Sequence, residues 1–436
     1  MERIEEINLY DNLIVEYCLL LFVILWSGGY ATYGLWANWP YVLFIISLGL
    51  LLKRGLRIEK GTHLVIAFLA IISVFQSLIF SGSITTTIIQ PIIRLYAIAM
   101  VAVIVRPNMN HVFISISTTF AFISLIFWGL DITPDGHSLL LSIAKGLPQY
   151  GAKVLNEQNY EDYGRVYTLF FYTIPENPID SIGFLVRNSG PFFEPGRFTI
   201  ILTLSLALIL FSGSYKRYKI PFYIILLTNF TTLSTTGYLS MIVLFAGYYA
   251  NRSGSGNLKN AILFIIIIIG SYFIMGLSFM GEKISVALGD TDVANTRFGA
   301  MFYHWLQLKQ SPWIGYGPFL ETVFPSLEMS PCGITDMMRR WGIPTFIVCV
   351  WLLFKGTRVY IHNTAIYRIT VVTILIFMAY TQTIMNEPLY YLLYFIGSEE
   401  ELFENGDFEE EDFVDGEVNY TENDTYPEGQ YYATKI

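Results

Sequence analysis

The sequence predicts an all-α polytopic integral membrane protein of 10–12 transmembrane helices with two long outer-face loops. Three observations carry that prediction. The 436 residues are 54% hydrophobic and only 14% charged, where soluble domains average roughly 25% charged. Apolar runs long enough, or nearly so, to cross a hydrocarbon core of about 30 Å recur from residue 13 to residue 397. The Lys and Arg residues cluster in alternate short connectors between those runs.

Taken in order, the runs fall at 13–32, 39–52, 62–80, 84–105, 112–130, 198–213, 220–232, 236–250, 261–279, 341–355, 366–384 and 387–397. The last, and the pair at 220–250, are short for full crossings, which sets the range of the count. The first follows an acidic start, Met1-Glu2-Arg3-Ile4-Glu5-Glu6, with no small-residue cleavage site after it, and reads as a retained span rather than a signal peptide. The connectors Lys53–Lys60, Tyr215–Lys219, Asn251–Lys259 and Lys355–Arg358 are basic, so the excess of Lys and Arg assigns them to the cytoplasm. Residues 29–38, 81–83, 131–197, 233–235 and 280–340 then share the outer face. The two long stretches, 131–197 and 280–340, are rich in Tyr, Trp, Phe, Gly and Pro, a composition that predicts layers folded over the membrane surface.

From Ser398 onward the chain carries 14 of its 35 acidic residues and a single basic one, Lys435. The formal net charge of −9 therefore misleads: the body before that point holds 25 basic and 21 acidic residues and is mildly cationic. Residues 1–397 read as one transmembrane domain, and 398–436 as an acidic, disordered tail. Cys18, Cys332 and Cys349 are odd in number and scattered, so no disulfide framework follows. No GxGxxG after a strand, GxxxxGK[ST], HExxH or paired CxxC occurs, which removes the usual signals of nucleotide, zinc and redox chemistry. No metal, no cofactor and no nucleic-acid partner is expected.

Chemistry-bearing groups concentrate in the outer loops. Arg187-Asn188-Ser189-Gly190-Pro191-Phe192-Phe193-Glu194-Pro195-Gly196-Arg197 runs into the span at 198, and its Pro and Gly residues favour tight turns that present the charges. The second loop holds Asn295-Thr296-Arg297, then Pro312-Trp313-Ile314-Gly315-Tyr316-Gly317, then Cys332-Gly333-Ile334-Thr335-Asp336-Met337-Met338-Arg339-Arg340-Trp341-Gly342-Ile343. An arginine, then Pro-x-x-Gly-x-Gly, then a polar helix ending in Gly-Ile before a span resembles the O-antigen ligase and polymerase superfamily. The Arg-x-x-Gly-x-x-x-Glu-Pro of residues 187–195 is similar to a stretch found in many of its polymerase members. Two ligase features are missing: the turn Leu233-Ser234-Thr235-Thr236-Gly237 has no arginine, and the region before Gly342-Ile343 has no histidine. Both absences point to the repeat-unit polymerase branch.

That resemblance implies a metal-independent glycosyltransferase of the bacterial inner membrane, with its active face extracytoplasmic. It would polymerise undecaprenyl-pyrophosphate-linked oligosaccharide repeats, donor and acceptor alike, into O-antigen, capsular or exopolysaccharide, with a chain-length regulator protein as a further partner. The residues agree on chemical grounds. A diphosphate-linked sugar already has a good leaving group, so the protein must supply cations for the departing diphosphate and a base for the attacking hydroxyl. Arginine fits the first role because its planar fork meets phosphate oxygens in pairs and keeps its charge near lipid. Arg187, Arg197, Arg297, Arg339 and Arg340 form the outer set, with Arg297 taken as catalytic and Gly315, Tyr316 and Gly317 as part of the substrate loop. Glu194 and Asp336 are the candidate bases; Glu194 is preferred because the adjoining proline turn and two phenylalanines would desolvate it.

Arg94 stands inside an apolar run, where a charge costs on the order of 2.5–3.5 kcal/mol at a helix centre. It needs either lipid phosphate in a cavity or a buried acid such as Glu16. Blander readings accompany these. Arg187 and Arg297 also suit snorkelling anchors, Glu194 suits a cap paired with Arg197 three residues on, and Gly315 and Gly317 suit ordinary turns. His304 reads as interfacial packing, and Trp305, Trp313, Tyr316 and Trp341 as either a sugar-stacking set or an aromatic belt. The sister ligase activity, a lipid-linked-sugar flippase and a non-catalytic scaffold are the rival functions.

Overall fold

The computed structural model describes residues 2–30, 39–80, 88–147, 166–169, 171–176, 186–252, 297–324, 332–361 and 364–398. The expected span at 261–279, the residues Asn295, Thr296, Ser330 and Pro331, and the tail after Ser398 lie outside them. The described chain is mostly helical. By length and composition Lys60–Ile79, the run Gln90–Asp131 and Ile343–Tyr360 can cross a membrane, and shorter apolar helices accompany them.

The helices before the first long connector are α1 (Glu2–Trp26), α2 (Trp39–Lys53), α3 (Lys60–Ile79), α4 (Gln90–Val105) and α5 (Met109–Asp131). After it come α7 (Pro195–Phe211), α8 (Lys219–Thr231) and α9 (Thr235–Arg252). Between α4 and α5 the chain turns back through Arg106–Asn108, a short 3-10 segment containing Pro107. α7 explains itself from sequence: apolar around its whole circumference, it has no face suited to solvent. Every residue from Gly196 to Phe211 is buried, enclosed by α5, α8, α9 and a later helix, α14 (Ala365–Thr381). At one end of the bundle the turns around Arg54, Asn108 and Tyr360 come together: Arg54 donates to Glu16 at 2.9 Å, Asn108 donates to the same carboxylate at 2.8 Å, and Asn110 reaches the carbonyl of Tyr360 at 2.9 Å.

The long connector after α5 adds a small two-stranded element to an otherwise helical fold, which stays consistent with the all-α expectation. It contains α6 (Pro134–Lys145) and a two-stranded antiparallel hairpin, β1 (Val166–Leu169) with β2 (Tyr172–Pro175). α6 begins where the sequence allows: Pro134 occupies its first turn and the Thr133 hydroxyl accepts from the Gly136 N–H at 3.2 Å. Asp131, fully buried, ties the layer to α5 by accepting from His137 at 2.7 Å and from the Tyr172 hydroxyl at 2.8 Å.

The second loop supplies α10 (Arg297–Leu308), α11 (Leu320–Val323) and α12 (Gly333–Trp341), followed by α13 (Ile343–Tyr360) and, after α14, α15 (Pro388–Ser398). α12 stops and α13 starts at Gly342, whose φ is +83°. A side chain there would be strained, and its Cβ would collide with the Trp313 carbonyl oxygen. The Gly-Ile of the motif is thus a two-helix corner.

Candidate functional site

The two charged loop segments converge on one linker, Gln382–Glu387, between α14 and α15. Gly196 at the start of α7 lies so close to Gln382 that a Cβ would sit 2.5 Å from its amide nitrogen. A Cβ on Gly333, at the start of α12, would collide with the carbonyl oxygen of the same residue. The second approach is to backbone and needs a glycine, while the first is to the movable end of the Gln382 side chain.

On the α7 side, Arg197 is 9% exposed and turns away from its near neighbour Glu194. Its Nη1 donates to the Ser27 carbonyl at 3.1 Å and meets Glu387 Oε1 at 3.4 Å, and its guanidinium lies 4.3 Å over the Phe193 ring. Its Nε is buried with no hydrogen-bond partner among the described residues. Beside it is a hollow of about 250 Å³, including space open to solvent, lined by Ser27, Phe192, Arg197, Glu387 and the first residues of α15, with room at its centre for about one water. Both α7 and α15 begin at this hollow, and helix N-termini carry partial positive charge.

On the α12 side, Asp336 accepts from Arg339 at 3.0 Å and from Arg340 at 3.1 Å, so both its oxygens are engaged. The Asn386 amide reaches it at 3.5 Å, while Asn386 Oδ1 accepts from the Trp341 indole at 3.0 Å. Arg339 also donates to Gln307 of α10 at 2.8 Å. Arg94 reaches the linker from α4: its Nη2 donates to the Asn386 carbonyl at 3.3 Å and its guanidinium lies 4.9 Å over Trp26. It is the fifth residue of α4, not a mid-helix charge. Glu16 is not its partner, being held by Arg54 and Asn108 at the opposite end.

The other sequence-derived residues fall as follows. Glu194 is exposed at the N-cap of α7 and makes no side-chain cap bond. The desolvation argued for it is absent: Phe192 points into the core, and Phe193 lies under Arg197. Arg187 is half-buried near Tyr238 of α9, while its neighbour Asn188 donates to Thr231 at 2.9 Å. Arg297 opens α10, and its side chain is outside the described residues. Gly315 and Gly317 take positive φ in a turn pressed against the Arg339 carbonyl and the Gln76 side chain. Tyr316 between them is buried, donating its N–H to Arg339 O at 2.7 Å and its hydroxyl to Gln307 O at 2.9 Å. It braces α12 and offers no ring face to a sugar. Trp305 and Trp313 are exposed, and Trp341 is held by Asn386.

His304, assigned to interfacial packing from sequence, is fully buried, its Nδ1 2.7 Å from the Thr335 hydroxyl. Burial first, and then the Arg339 charge, push its pKa down to about 4, against the opposing pull of Asp336. This folded value lies below that of a free imidazole, so the unfolded chain binds the extra proton between about pH 6.5 and about pH 4. The fold should therefore lose stability as pH falls through that window. Melting curves of wild type and His304→Gln across it should show a slope that the variant lacks; parallel curves would remove this account.

Sequence reasoning passed over Asn386 and Glu387. Their available signal was the polar break Gln382-Thr383-Ile384-Met385-Asn386-Glu387 followed by Pro388 between two apolar runs, the kind of interruption that marks buried sites in membrane proteins. Among the described residues no three His, Cys, Asp or Glu side chains gather as metal ligands. No family model matches the chain, and no curated protein and no solved structure does either.

Proposed function

We propose that this protein is a membrane glycosyltransferase that extends lipid-linked polysaccharide, transferring a growing glycan from undecaprenyl diphosphate to the sugar hydroxyl of another lipid-linked repeat unit. One observation carries the reading: a buried arginine, Arg197, keeps an Nε unpartnered among the described residues at a hollow where two helix N-termini meet. A buried guanidinium without its full set of acceptors is costly, and one oxygen of a diphosphate reaching in from the open side, in place of the single water the hollow has room for, would supply a missing acceptor in a charge-assisted bond. Arg94 flanks the same linker and adds a second cation.

The charge distribution supports an active face outside the cytoplasm of a bacterial inner membrane. The basic turn at Arg54 and the turns around Asn108 and Tyr360 come together at one end, and the hollow lies at the other. In the proposed step the acceptor oxygen bonds to the donor's anomeric carbon. The bond from that carbon to the diphosphate oxygen breaks, and the leaving group departs with the electron pair as Arg197 stabilises its charge.

Purified protein in proteoliposomes, given lipid-linked oligosaccharide extracted from cells lacking this gene product, should yield a ladder of longer glycans with release of undecaprenyl diphosphate. Transbilayer movement of the lipid without elongation would replace the proposal with a flippase. Transfer of glycan to a different acceptor would replace it with a ligase.

Gly28 offers an independent check. Its φ is +134°, and a Cβ would stand 2.6 Å from Arg197 Cδ. Gly28→Ala should displace the guanidinium and slow elongation by about 10²-fold while the protein still inserts. Elongation at the wild-type rate would show that Arg197's position does not matter.

A further inference from the structure

We infer that Glu387 is the proton acceptor of this site, the carboxylate that takes the hydrogen of the incoming sugar hydroxyl. The inference rests on the glycosyl-transfer reading above and assigns within it a role that neither Glu194 nor Asp336 fits.

A general base needs a free lone pair, access to the reacting hydroxyl and an environment that does not simply hydrate it. Asp336 fails on the first count, since its two oxygens accept from Arg339 and Arg340 and the Asn386 amide stands close by. Glu194 fails on the third, exposed at the mouth of α7. His304 does not line the hollow. Glu387 does, with its side chain 26% exposed and a single ionic contact among the described residues, to Arg197 at 3.4 Å. That distance is longer than the roughly 2.7–2.9 Å of a tight charge-assisted bond, so the carboxylate is held loosely enough to exchange partners.

The backbone presenting it is fixed from several directions. The Glu387 carbonyl accepts the N–H groups of Tyr390 and Tyr391, its N–H donates to Ile384 O, and Pro388 sets the first turn of α15. One residue earlier, Asn386 is pinned by Trp341 and Arg94. In the first turn of α15, the Leu389 N–H donates to the Ser27 hydroxyl at 2.8 Å, and Ser27 also supplies the carbonyl that holds Arg197. Arg197 and Glu387 are thus set on one rigid frame.

Their contact gives the pair a further property. A diphosphate oxygen on Nε and the Glu387 carboxylate on Nη1 share one guanidinium, so donor binding competes with the carboxylate for the same cation. A carboxylate released from the guanidinium has its lone pairs free for the incoming hydroxyl, so the site would gain its base when the donor arrives, which restrains proton abstraction in its absence. In the step itself the hydroxyl proton passes to Glu387 as the new carbon–oxygen bond forms, and later leaves to water.

The test uses the full-length protein in proteoliposomes with extracted lipid-linked oligosaccharide as probe, comparing wild type, Glu387→Gln, Glu387→Asp and Glu194→Gln. Single-turnover elongation is followed across pH, and donor retention is measured separately. Glu387→Gln should slow elongation by a factor on the order of 10²–10⁴, keep the donor bound, and lose the acidic limb of the pH–rate profile. Glu387→Asp should restore part of the rate with that limb displaced, and it keeps the test decisive where the glutamine variant folds poorly. An acidic limb lost in Glu194→Gln instead, or a Glu387→Gln profile like wild type, overturns the inference alone. A wild-type protein that releases no lipid diphosphate and extends no glycan overturns the glycosyl-transfer reading and this inference with it.

Discussion

Replacing Arg197 by alanine should lower elongation by a factor on the order of 10²–10³, the usual cost of deleting one preorganised group that stabilises a developing anion. The loss follows from the geometry of the site. The guanidinium is nearly enclosed, lies over Phe193 and is held by the Ser27 carbonyl, so its charge acts at short range in a poorly hydrated setting. Lysine at this position should recover only a fraction of the rate, because an ammonium lacks the planar fork that meets two phosphate oxygens at once. Donor retention should weaken in parallel with the rate, since the same cation holds ground state and leaving group. The measurement is chain-length distribution and lipid-diphosphate release in proteoliposomes. A normal ladder from Arg197→Ala would mean that the buried arginine serves the fold alone.

The second large effect should be on stability. Asp336→Ala removes the carboxylate shared by Arg339 and Arg340, of which the Arg339 side chain is 5% exposed. Removing one partner of a buried pair leaves charge in a site that cannot hydrate it, at a cost of about 3–5 kcal/mol. The melting midpoint in detergent should fall clearly, and α10 should loosen with it, because Arg339 also holds Gln307. Replacing Asp336 and Arg339 together by apolar residues should be less damaging than Asp336→Ala alone, since no half-pair remains. An unchanged midpoint in Asp336→Ala would place this cluster outside the folding core and reopen Asp336 to a chemical role.

Much of the helical framework is legible in the chain. Apolar runs at 39–52, 62–80 and 198–213 correspond to α2, α3 and α7 within a few residues, because a helix among apolar neighbours needs a continuous apolar segment and little else. The run expected to reach residue 384 ends earlier, at Thr381, where Gln382 is claimed by contacts from α7 and α12. The hairpin in the first long connector left only a weak trace, since four-residue strands carry little periodicity. Glu194 drew notice through its local surroundings and the Pro-x-x-Gly-x-Gly turn through its resemblance to a known motif, yet the structure leaves Glu194 exposed and packs Gly315 and Gly317 against Arg339 and Gln76.

The sequence by itself determined that this is a helical chain built for an apolar environment, with Arg197 placed where an apolar run begins. Composition and spacing are local properties, and a hydrocarbon environment reads them directly. Only the tertiary structure decided which charges face one another. Arg197 meets Glu387 across 190 residues, while Arg94 and Glu16, paired on paper, lie at opposite ends. A buried ion pair depends on how helices distant in the chain come together, and that information is held by no single segment.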